Sequence, residues 1–166
     1  MHKYLFISMT CLMVSGCANP KTSPQYIFED HYHYGQLNQE LLMTHEAHPW
    51  FKKNYDAYSP NLSQLTSLNL NDISVRIFMG TWCHDSKREV PRFYKVWDGL
   101  KLSESQIIIV GLNKKKKGYF KNYSEFGITN TPTFIFYRNG KEIGRIVERP
   151  KGRLEEHLKT ILSVTS

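Results

Sequence analysis

Cys83 stands in the run Phe78-Met79-Gly80-Thr81-Trp82-Cys83-His84-Asp85-Ser86, after an apolar strand pattern and where a helix should begin. A cysteine at a helix start faces unpaired backbone N–H groups and the positive end of the helix dipole. Both favour the thiolate, the form that attacks sulfur. His84, when protonated, adds to that bias, whereas Asp85 opposes it unless Lys87 or Arg88 engages its carboxylate. Three residues beyond the cysteine, where a dithiol enzyme would carry its second sulfur, stands Ser86. Its hydroxyl suits either of two tasks: donating a hydrogen bond to the Cys83 thiolate, or, like Asp85, capping the helix. Neither resolves a mixed disulfide, so release requires a thiol from a substrate or partner. The bland alternative is a thiol packed under Trp82 that does nothing.

The surrounding pattern supplies elements to hold such a site. Ile73–Met79 reads as a strand and Ser86 to about Leu100 as a helix turning Val90, Phe93, Val96 and Trp97 inward. Gln106–Leu112 is a continuous apolar run, as expected of a central strand covered on both faces. Lys116–Phe126 reads as a helix. Thr133–Tyr137 and Glu142–Val147 make a hairpin around Asn139-Gly140, a strong turn signal, and Lys151–Leu162 is an amphipathic closing helix. This order predicts an α/β fold with a mixed central sheet and helices on both faces. Upstream, leucines at helical spacing between Gln36 and Leu70, broken by Pro49 and Pro60, predict a helical extension over residues 36–72. Residues 17–35 lack a clear period and read as a tether.

Several landmarks together resemble the thioredoxin superfamily over about Ile73–Leu162. Trp82-Cys83-His84-Asp85-Ser86 lies where the family has Trp-Cys-x-x-Cys, and Pro91 where it has a helix-kinking proline. Gly127-Ile128-Thr129-Asn130-Thr131-Pro132-Thr133 is similar to the segment that leads into the family's cis-proline, and Lys151-Gly152-Arg153-Leu154 to the opening of its last helix. The resemblance implies a thioredoxin-like fold for residues 73–166. It also implies a cis Pro132 beside Cys83, with Thr131 offering its backbone to a substrate and Trp82 and His84 flanking it. Glu148 and Arg149 could line the same face. The departures are equally specific. Ser86 replaces the resolving cysteine, Ile77 stands where thioredoxins keep a buried aspartate, and Glu148-Arg149-Pro150 lacks the family's usual glycine. The chain looks like exported thioredoxin-like lipoproteins with a Cys-x-Asp-Ser site.

The N-terminus agrees with export. Met1-His2-Lys3 precedes an apolar stretch from Tyr4 to Val14, too short to cross a bilayer, and Val14-Ser15-Gly16-Cys17 resembles a bacterial lipobox. Residues 1–16 would then be a signal peptide and Cys17 the lipidated first residue of the mature chain. Ala18 after the cysteine points toward the outer membrane, facing the periplasm. Cys11 would leave with the signal, making Cys83 the single free thiol of an exported protein. The remaining residues are an ordinary size for one domain.

These features predict an enzyme of monothiol thiol–disulfide oxidoreductase or isomerase type. It would act on thiol- or disulfide-bearing proteins or small thiols and need no cofactor. The alternatives are a non-catalytic binding module presenting the Trp82/Pro132 surface to an envelope protein, and a one-cysteine peroxidase, whose usual surroundings Gly80-Thr81-Trp82-Cys83 does not match. The net charge of +7 suits solubility or anionic lipid in an exported protein, and no nucleic-acid partner is expected. His31, His33, His45 and His48 lack metal-site spacing and are expected to hold no metal. Lys114–Lys117 reads as a solvated loop.

Overall fold

The computed structural model describes residues 26–115 and 123–164. The expected signal segment, Cys17 and the start of the expected tether lie outside the described residues, as does most of the helix expected over 116–126. The last four residues of that helix, Tyr123–Phe126, form a 3-10 turn. Among the described residues, no helix is long and apolar enough to cross a membrane.

Six strands form one sheet in the order β1-β2-β4-β3-β5-β6. Its centre is a β-α-β unit: β3 (Ile73–Met79), α3 (His84–Gly99) and β4 (Ile107–Gly111), with β3 and β4 parallel. β5 (Thr133–Arg138) lies antiparallel to β3 on its other side, and β6 (Lys141–Val147) pairs with β5. Asn139 and Gly140 both have positive φ, 50° and 80°, the primed-turn geometry that matches the twist of a two-residue hairpin. α4 (Leu154–Leu162) closes the chain.

Strand alternation divides the core in two. Val75, Ile77, Met79, Ile109, Phe134 and Phe136 share a large cluster with Phe93 and Trp97 of α3 and Leu158 and Ile161 of α4. On the opposite face Phe78, Val110, Leu112 and Ile135 form a smaller cluster, packed by Phe126 and Ile128. Ile77, at the family's aspartate position, is fully buried in the larger cluster.

The tether expectation is corrected from Tyr26 onward. Tyr26–Glu29 is β1 and Tyr32–Leu37 is β2, an antiparallel hairpin that extends the sheet by pairing with β4. Its turn places Asp30 and His31 at φ 51° and 64°, again a primed turn, here built without glycine. Gly35 pairs with Gly111, and an added Cβ on Gly111 would lie 2.8 Å from the His33 carbonyl oxygen and 2.9 Å from Tyr34 Cα. The bare backbone at Gly111 is what lets β2 approach. The helical extension therefore starts after β2, with α1 (Gln39–Thr44) capped by the Asn38 side chain and α2 (Pro49–Ala57) carrying proline in its first turn. The stretch around Leu62–Leu68 is turns rather than helix, with Leu65 fully buried.

Gly111→Ala is expected to destabilise the protein by about 1–3 kcal/mol, because the His33 and Tyr34 atoms in the way are backbone and cannot swing aside. Amide exchange across residues 26–37 should accelerate in this variant. An unchanged denaturation midpoint with unchanged protection would contradict the close approach.

Candidate functional site

Gly80 ends the strand leading to the site, and the absence of a side chain there is used directly. An added Cβ would meet the Trp82 ring at 2.6 Å, so the indole folds back over Gly80. Its ring N–H donates to the Leu112 carbonyl at 2.9 Å, and the Leu112 N–H donates to the Met79 carbonyl at 2.7 Å. Thr81 is buried and faces the other way: its Oγ1 accepts from the His33 N–H at 2.9 Å and donates to the His33 carbonyl at 3.3 Å. The site loop is thus tied by Trp82 to Leu112, the residue after β4, and by Thr81 to β2.

Cys83 is the N-cap residue of α3, in extended conformation, and its carbonyl accepts the Lys87 N–H at 3.0 Å. Its thiol is partly accessible and donates to the Thr131 carbonyl at 3.1 Å. The Thr131–Pro132 bond is cis, and both residues are buried. The Pro132 carbonyl accepts the Glu148 N–H at 2.7 Å, while the Glu148 carboxylate accepts from the Asn130 side-chain amide at 2.8 Å. Glu148 has φ 60°, a conformation glycine adopts freely, at the position where the sequence lacks the family's glycine. Its two hydrogen bonds hold the Thr131-Pro132 segment in place.

Ser86 is fully buried, and its Oγ accepts the Gly80 N–H at 3.2 Å. Among the described residues no hydrogen bond joins it to Cys83. The capping role expected of Asp85 or Ser86 is corrected: Cys83 itself is the N-cap, and the Asp85 carboxylate turns to Arg88 at 2.7 Å. That ion pair sets the Asp85 charge against a guanidinium. The His84 side chain is 89% exposed, its Nδ1 4.0 Å from Asp85. Cys83, Trp82, Thr131 and Pro132 converge, His84 stands at the solvent edge, and Ser86 lies beneath.

The histidines expected to hold no metal are brought together in part. His33 on β2 and His48 at the start of α2 are buried, with His33 Nδ1 and His48 Nε2 2.9 Å apart. One nitrogen of each of His33, His45 and His48 lies within 4.8 Å of the others, whereas His31 sits exposed in the β1–β2 turn. Burial pushes both His33 and His48 down to about 4, and nearby histidine charge adds to the shift. The missed signal is long-range: His33 depends on the hairpin, which carries no glycine turn. Lys114 of the lysine run lies over the Tyr32 ring at 4.9 Å, and Lys116 and Lys117 fall outside the described residues.

A cysteine at the β3-to-α3 turn of a mixed sheet, with a cis-proline segment at its sulfur, defines a thioredoxin-like α/β protein. The thioredoxin family profile matches residues 57–160, and the chain belongs to that family. It is 31% identical over 90 residues to thioredoxin H9 of Arabidopsis thaliana, a match spanning 54% of this chain and 60% of that relative's length. Among solved structures, Chlamydomonas reinhardtii thioredoxin f2 is 24% identical with a TM-score of 0.37, covering 46% of this chain and 66% of that one. Trxlp from Edwardsiella tarda EIB202 is 18% identical with a TM-score of 0.41, covering 64% and 96% respectively. The β1–β2 hairpin and the histidine cluster lie before the matched residues.

The neutral histidine pair sets a pH dependence. An unfolded histidine takes up its proton near 6.5, whereas folded His33 and His48 resist until about 4. The unfolded chain therefore binds more protons in that window. The stability this pair contributes is complete above 6.5 and is lost as pH falls toward 4. His157, also lowered by burial, acts in the same direction. Urea unfolding with a chelator present should show a lower midpoint at about pH 5 than at about pH 7, before most carboxylates titrate. Equal midpoints would contradict the buried neutral pair.

Proposed function

We propose that this protein performs thiol–disulfide exchange with Cys83 as its single nucleophile, anchored in a bacterial envelope through lipid on Cys17. The observation that carries the reading is the Cys83 thiol, partly accessible at the N-cap of α3 and 3.1 Å from the Thr131 carbonyl. Buried Ser86 occupies the family's second-thiol position. The Cys83 thiolate attacks one sulfur of a client disulfide, forming a mixed disulfide while the other client sulfur leaves as a thiolate and takes a proton from water. Thr131-Pro132 and Trp82 border the bound chain, and exposed His84 meets its flank. Ser86 has no sulfur, so a second thiol must attack the mixed disulfide and return Cys83 to the reduced form. If the attacking thiol belongs to the same client, the sequence is isomerisation without net oxidation. If it is a small thiol, the outcome is transfer or removal of an adduct.

The supports for the anchoring are the Val14-Ser15-Gly16-Cys17 pattern and the short apolar stretch before it. With them the reading extends to a lipoprotein of the outer membrane facing the periplasm, whose partners are exported proteins or small thiols.

Purified protein exposed to oxidised glutathione is expected to hold one adduct at Cys83 that persists until a second thiol is added. In Ser86→Cys the introduced thiol should expel the glutathione and leave an internal disulfide. Intact mass and peptide mapping read both products. A Cys83 that forms no adduct under native conditions, or binding of an envelope partner retained fully in Cys83→Ser, would move the assignment to a thioredoxin-fold binding module.

A further inference from the structure

We propose that His33, His45 and His48 form a binding site for a divalent first-row transition ion, zinc above all, built from the N-terminal hairpin and the turn between α1 and α2. His45 ends α1 and His48 begins α2; the His48 N–H donates to the His45 carbonyl at 2.9 Å, closing a tight turn that presents both rings to β2. His33 faces them from β2, with ring centroids 4.5 Å from His45 and 4.9 Å from His48. Zinc–nitrogen bonds of about 2.0–2.1 Å put tetrahedral ligand atoms about 3.3 Å apart. The His33–His48 pair at 2.9 Å needs to open by a few tenths of an ångström, and the third nitrogen, within 4.8 Å, needs to close.

The chemistry of the set selects the ion. Three imidazoles without a carboxylate or thiolate suit zinc, copper or nickel and disfavour calcium and magnesium, which require oxygen. Phe28 packs over the cluster, 4.4 Å from the His33 ring and 5.1 Å from that of His45. His33 and His48, each 1% exposed, turn one ring nitrogen toward the other at 2.9 Å, so two of the three ligand atoms are already aimed at one point out of water. On ligation each ring keeps its one proton on the nitrogen turned away from the ion. His45 then gives up the bond its Nδ1 accepts from the Ala47 N–H at 3.1 Å, since neither ring nitrogen remains a free acceptor. Water fills the fourth position.

The test is titration of the full chain, its cysteines first alkylated, with Zn²⁺ and with Co²⁺ as an optical probe. One equivalent should bind, Co²⁺ should give the absorption of a tetrahedral nitrogen site without a sulfur charge-transfer band, and the Ala47 amide resonance should move. His45→Gln, at the more accessible ligand, is expected to weaken binding about tenfold or more, while His31→Gln leaves it unchanged. Absence of binding at micromolar Zn²⁺, equal affinity in His45→Gln, or an unmoved Ala47 amide would overturn the site. Because the amide readout uses the unsubstituted chain, it decides the matter even if His45→Gln fails to fold.

Discussion

The close approach of the Trp82 ring to the bare backbone of Gly80 is the constraint on which the site depends. A side chain at Gly80 would occupy the space of the indole. With the ring folded back, its N–H reaches the Leu112 carbonyl and the chain turns at once into α3, leaving Cys83 as the N-cap. The cysteine is therefore delivered to the helix terminus by a turn pinned on both sides, through Trp82 to Leu112 after β4 and through Thr81 to β2. On the far side of the sulfur, Glu148 accepts a left-handed backbone and in exchange satisfies both Pro132 and Asn130. The Cys83 thiol and the Thr131-Pro132 segment beside it are thus positioned by separate parts of the sheet.

Ser86 separates geometry from chemistry. Fully buried, it uses its hydroxyl to satisfy the Gly80 N–H, a group that would otherwise be costly to bury. The serine is structurally integrated, and in the proposed exchange reaction it leaves Cys83 without an internal thiol for release. Arg88 pairs with Asp85. The same guanidinium also pairs with buried Glu89, so Arg88 is shared between two carboxylates in the first turns of α3.

From β3 onward the architecture was legible in the sequence because its signals are local. β3 occupies Ile73–Met79 as read, α3 begins two residues early, and Asn139-Gly140 turns the β5–β6 hairpin. The meeting of Cys83 with Thr131 and the cis Pro132 followed from the motifs that resemble the family. The N-terminal hairpin was not, because Asp30-His31 makes a primed turn without glycine and Gly111, its docking point, lies far along the chain. The same blindness hid the histidine cluster, whose members are contiguous only once β2 is in the sheet, and the Thr81–His33 tie. Ser86's partner also depended on tertiary placement: periodicity puts the residue on the first turn but does not say that Gly80 N–H needs it.

The proposed exchange chemistry requires Cys83 to be a reactive thiol and not a packed one. The most direct measurement is the rate of iodoacetamide alkylation at the Cys83 peptide of the native protein at neutral pH, read by mass spectrometry beside free glutathione. A partly accessible thiol at the N-cap of α3 is expected to alkylate in the folded protein at least as fast as glutathione. Alkylation slower than glutathione, or none until denaturant unfolds the chain, would contradict it.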